Sequence, residues 1–156
     1  MAIINAVMTL TSDISEYGLS ITKSMQMNKA GSVDGLELTT GLARRSITNT
    51  NHVDLLTAGS GISADVTASK AAKVYIKNVG TDATTYINVG FGNASTNGTA
   101  TVNDNDATFF ELGRLYGGNW MLIPWIATST TGDITIQASV ASVADPMNVE
   151  YMVFFE

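Results

Sequence analysis

At 156 residues, with 45% hydrophobic and 14% charged side chains, the chain can bury about two thirds of its unfolded surface as one domain and is too apolar for disorder. A formal net charge of −6 and a single basic doublet, Arg44-Arg45, exclude the clustered cations that phosphate-backbone binding needs. The absence of cysteine removes disulfides, thiolate nucleophiles and cysteine metal sites together.

Ile3 to Leu10 reads as a first strand, with Ile4, Ala6, Met8 and Leu10 on one side and Ile3, Asn5, Val7 and Thr9 on the other. Neither side is cleanly polar, the pattern of an edge strand or an arm laid on a neighbour. Residues 1–18 are therefore a candidate N-terminal arm. Ser12 to Gly18 is punctuation, with a Ser12 cap and Glu16 suiting one helical turn. Leu19 to Met27 alternates again, Lys23 interrupting an apolar side made by Leu19, Ile21, Met25 and Met27. Asn28 to Gly41 carries turn signals. Ser46 to Thr50 and His52 to Thr57 follow as short strands, and Ile62 to Ser69 fits a strand or a turn equally.

The middle alternates most clearly. Lys73 to Asn78 puts Val74 and Ile76 on one face, and Thr84 to Phe91 answers with Ile87, Val89 and Phe91. Two such runs around Gly80-Thr81-Asp82 predict an antiparallel hairpin. Gly92 to Asp106 reads as a polar surface loop, with a strand at Thr99 to Val102 as the alternative. Ala107 to Leu112 is the next strand, and Arg114 to Asn119 a turn around Gly117-Gly118. Trp120 to Ile126 is apolar on both faces, and its Pro124 belongs on a sheet edge or at a bulge. Ile134, Ile136 and Ala138 oppose Asp133, Thr135 and Gln137, which predicts one wet face. In the last strand, Val149 to Phe155, the second face holds Met152 and Phe154 and calls for a cover. Short strands at regular spacing with glycine-rich turns, and no long helical stripe, predict one antiparallel β-sandwich, jelly-roll-like, of about eight to ten strands.

Chemistry is sparse. His52 is the only histidine, so one chain cannot build a multi-histidine metal site. It reads as an ordinary strand-start residue, because no nucleophile motif accompanies it. Asn103 to Asp106 resembles the start of a calcium loop but lacks the glycine and the bidentate acid that complete one. The glycines at 59–61 and 90–92 lack the lysine and helix of a phosphate loop. Glu16, Glu37, Glu111 and Glu150 are scattered singly. Tyr116, Trp120 and Trp125 fit a sugar-stacking platform, a core or an interface. No catalytic residue, metal or cofactor is expected. The N-terminus has no basic segment of a secretory leader, and no apolar run approaches the ~20 residues of a membrane span. Charge lies well below the ~25% usual for soluble domains. Either part of the surface faces other protein, or the exterior is simply rich in Ser, Thr, Asn and Gly.

Four stretches carry a family resemblance: KVYIKNVGTDAT, YINVGF, ELGRLYGGNWMLIPW and ITIQASVASVADPMNVEYMVFFE. From Ala72 to Glu156 the chain is similar to small β-sandwich virion proteins of tailed bacteriophages. The resemblance implies a non-enzymatic structural role in the phage particle, either as a capsid decoration (cement) protein or as a tail or fibre component. It further implies a homo-oligomer, most simply a trimer. The implied partner is the major capsid protein, and the implied location is the outer capsid surface of a virion made in a bacterial cytoplasm. Surplus apolar residues make Ile3, Ile4, Val7, Met8, Trp120, Trp125, Met152 and Phe154 the interface candidates. A carbohydrate-binding module for host attachment is the rival from another class.

Overall fold

Residues 4–12, 19–27, 38–58, 71–92, 109–126, 132–142 and 144–156 are described by a computed structural model. Among them the chain forms eleven strands and no helix: β1 (Ile4–Ser12), β2 (Leu19–Met27), β3 (Leu38–Thr39), β4 (Ala43–Ile47), β5 (Val53–Leu56), β6 (Ala71–Asn78), β7 (Tyr86–Phe91), β8 (Phe110–Tyr116), β9 (Trp120–Ile126), β10 (Ile134–Ala138) and β11 (Met147–Phe155). The helical turn expected at Ser12 to Gly18, the ambiguous stretch Ile62 to Ser69 and the candidate calcium loop Asn103 to Asp106 lie outside the described residues, 12 apart. So do Ile3 and nearly all of the expected loop from Gly92.

Strands β4 to β11 make an antiparallel sandwich. One sheet runs β4-β11-β6-β9, the other β5-β10-β7-β8. Consecutive strands alternate between the sheets except for β7 and β8, which is the double Greek-key order of a jelly roll. β3 extends the β4 edge. From Thr39 to Ala43 the edge advances four residues while its partner moves three, from Phe154 to Tyr151. The extra residue is a bulge, where Gly41 takes φ of 74° and Thr40 bonds Val153 through both its amide and its hydroxyl.

The expected β6–β7 hairpin is not formed, because the two strands belong to opposite sheets. Both runs carry an apolar face. The seven residues 79–85 readily span the ~10 Å between packed sheets, so Val74 and Ile76 are buried across the sandwich from Ile87 and Val89. A Gly-Asp signal marks where the chain reverses, but not whether it stays in its sheet. The core these strands close also contains Ile134, Ile136, Val149, Val153, Phe155 and Trp125.

Two further expectations are corrected. β8 continues through Arg114 to Tyr116, so the turn begins only at Gly117, where Gly118 takes φ of 80°. The supposed wet face of β10 is dry, with Thr135 and Gln137 buried. Their polar atoms find internal partners: Thr135 donates to the Gly92 carbonyl at 2.8 Å, and Gln137 Nε2 to the Thr50 carbonyl at 2.9 Å. His52 and Phe109 stack beside this face with ring centroids 4.3 Å apart. The Phe109 ring lies so close over Gly90 that a Cβ there would meet it at 2.6 Å. Replacing bonds to water with internal ones offsets most of the cost of burying these side chains, although the buried Oδ1 of Asn88, opposite Gln137, has no partner among the described residues.

Candidate interaction surface

β1 and β2 stand apart from the sandwich as a two-stranded antiparallel ribbon, about 30 Å long at the usual rise per residue. Their register sorts the side chains. Ile4 opposes Met27, Ala6 opposes Met25, Met8 opposes Lys23 and Leu10 opposes Ile21, all on one face. The other face pairs Asn5 with Gln26, Val7 with Ser24, Thr9 with Thr22 and Thr11 with Ser20. Each strand alone looks ambiguous, whereas the pair is amphipathic.

The base of the apolar face rests on the outer side of the five-stranded sheet. Met27 and Phe154 are buried in one cluster, with Ile4, Ala6, Tyr75, Leu122 and Met152 packed around them. This is the cover that the second face of β11 calls for. Register places Phe154 and Met152 of β11, Tyr75 of β6, and Leu122 and Trp120 of β9 in a band across that sheet. The band is bordered by the ion pairs Lys73–Glu156 and Arg44–Glu150. Burial, and then the charge of Glu150, raise the Tyr75 phenol above its ordinary range. Trp120 sits beside Tyr75, ring centroids 6.2 Å apart, and stays 51% exposed.

Beyond its base the ribbon is uncovered. Met8 is 49% exposed and Leu10 51%, with Ile21 and Met25 also exposed on the same face. An isolated two-stranded ribbon is marginal in water. Covering the exposed parts of these four side chains would contribute about 4 kcal/mol before any opposing term. Association costs ~4–15 kcal/mol in lost freedom of motion. One ribbon tip by itself is therefore a weak contact.

The candidate interface residues are thus dispersed. Ile4 lies half-buried at the ribbon base, and Met8 on its open apolar face. Val7 is exposed on the polar face. Met152 and Phe154 lie under the ribbon base, Phe154 almost fully buried. Trp125 needs correcting as a surface candidate: it is 3% exposed and in the core, its indole N–H donating to the Gly132 carbonyl. β9 is apolar on both faces, so alternation left undecided which tryptophan points inward. Leu10, Ile21 and Met25 were missed, although their signal was present. Both N-terminal runs have apolar residues of matching parity, and pairing them would have revealed the face.

Among the described residues, the other features do not assemble into a chemical site. Tyr116, Trp120 and Trp125 share no platform: Trp125 faces the core, Trp120 the outer side of one sheet, and Tyr116 packs on Tyr86 in the other. Arg114 lies over the Tyr86 ring and donates to Glu111 at 3.1 Å, a contact that raises its pKa further. A cleft of about 290 Å³ at one end of the sandwich is lined by Asn78, Asp82, Ser142 and Asp145, among others, with no histidine, cysteine or lysine. No group of three or more metal-binding side chains occurs among the described residues. Compared with models of known protein families and with curated proteins, the chain matches none.

Proposed function

We propose that this protein is a non-enzymatic structural component of a tailed-bacteriophage particle, a capsid decoration (cement) protein that self-associates and binds across subunits of the shell. The observation that carries the reading is the ribbon, which presents a mainly apolar face, interrupted by Lys23, of which only the base is covered. A face of that kind is an interaction device, and the sandwich adds further exposed apolar side chains, among them Leu42, Phe110, Leu112, Trp120 and Ile126. The likeness of residues 72–156 to small phage virion proteins supplies the setting, and the sparse surface charge suits a protein that works against other protein. Cementing then acts by mass action: a ligand that binds the assembled shell and not its free subunits stabilises the shell.

The test is to purify particles with and without this protein, count copies per particle, and challenge both by heat and osmotic shock under negative-stain imaging. Hundreds of copies and greater survival of the decorated shell are expected. A few copies would move the protein to the tail or fibre, and equal survival would remove the cementing role.

A further inference from the structure

The ribbon's apolar face packs on the chain's own outer sheet surface at its base and then continues past it. An occupant that repeats this packing on the free part presents an apolar patch like the band of Phe154, Met152, Tyr75 and Leu122. The chain carries such a patch itself: Trp120, at the end of that band, is a large aromatic more than half exposed. We propose that the open ribbon face of one copy (Met8, Leu10, Ile21 and Met25) seats on the Trp120 end of the band in a second copy, so that each ribbon staples two sandwiches together. The inference rests on reading the ribbon as an interaction arm and names the arm's partner.

Two observations select a sister chain. The first is continuity: the cluster at the base of this same face already includes Leu122 and Tyr75, which precede Trp120 in the band, where Lys77 is its cross-strand neighbour. The second is size. The exposed parts of the four open side chains fall well short of the about 800 Å² per partner of a stable pairwise interface. A head-to-tail contact between identical chains overcomes this shortfall by closing into a ring, where every chain both gives a ribbon and receives one. A trimer is the ring expected from the reading above.

The absence of native cysteine makes a cross-linking test clean. Met25→Cys is placed in one preparation and Asn119→Cys, beside Trp120, in another, and the mixture is oxidised. A mixed disulfide dimer is expected in preference to either homodimer. In parallel, sedimentation of L10N/I21N and of W120A should each show self-association weakened at least about tenfold. Denaturant unfolding of the body should be unchanged, since none of these side chains is in the sandwich core. Preferential Met25→Cys homodimers would overturn the proposal in favour of ribbon-on-ribbon contact. Wild-type chains that stay solitary at high concentration yet still decorate particles would also overturn it, leaving the cement role standing. Wild-type rings that never attach to particles would do the reverse.

Discussion

The side-chain amide of Asn78, at the end of β6, donates to the Leu115 carbonyl of β8 at 2.9 Å and so joins the two sheets of the sandwich. Its Oδ1 accepts from Gly80 N–H at 3.0 Å, shaping the start of the crossing to β7. Buried to 1% exposure, it serves a buried acceptor on β8 and a donor, the Gly80 amide, at the more open start of the crossing. Asn78→Ala leaves the buried Leu115 carbonyl unsatisfied at about 1–3 kcal/mol and removes the bond to the Gly80 amide at about 1 kcal/mol. Unfolding in urea should therefore show a loss of about 2–4 kcal/mol. A loss below about 1 kcal/mol would mean that the sheets hold together without this clamp.

The two tryptophans should behave as opposites. Trp125→Ala removes a core ring and should destabilise the fold by about 3–5 kcal/mol, whereas Trp120→Ala should change stability of the isolated chain by no more than about 0.5 kcal/mol. Acrylamide quenching checks the same placement. The single-tryptophan variant W120F should emit from a shielded indole, and W125F from an accessible one.

Acid sensitivity should include a contribution from Asp82. Hydrogen bonds from the Thr84 amide, then from the Thr84 and Thr85 hydroxyls, hold this exposed carboxyl below its usual range. A depressed folded pKa gives stability that is present above the unfolded carboxylate pKa and lost as pH falls through the lower folded value. Wild type minus Asp82→Asn stability should therefore be positive at neutral pH and shrink as the pH drops below the ordinary aspartate range. A difference independent of pH would show that these bonds do not favour the charged form.

Methionine oxidation should map the ribbon. Met8 and Met25 are exposed and Met27 is 2% exposed, packed against Phe154, so peroxide should convert the first two to sulfoxides well before the third. Equal rates at all three would mean that the ribbon base does not rest on β11. Protection of Met8 and Met25 alone in an assembled state would locate the partner on the open face.

Much of the strand content was legible in single segments. Val74 with Ile76, Ile87 with Val89, and Ile134 with Ile136 each mark an inward face by period-two alternation, since successive side chains leave opposite sides of the pleat. Pro124 was legible as an edge residue, and it does lie on β9, which among the described residues pairs only with β6. The missing cover on β11 could be anticipated from Met152 and Phe154, although not its identity. Alternation is a local property, and it stops informing where both faces are apolar, as in β9, or where polar side chains are buried with partners, as at Thr135 and Gln137.

By itself, then, the order of residues determined that this is an all-β chain, which side of most strands faces inward, and that apolar surface is left over. Only the tertiary structure decided that β6 and β7 lie in opposite sheets, that Trp125 is inside while Trp120 is outside, and that β1 and β2 together form an amphipathic ribbon. The physical reason is that strand pairing joins residues far apart in the chain through backbone groups every residue carries. The choice of partner is therefore set by how whole faces pack, and not by any short stretch of side chains.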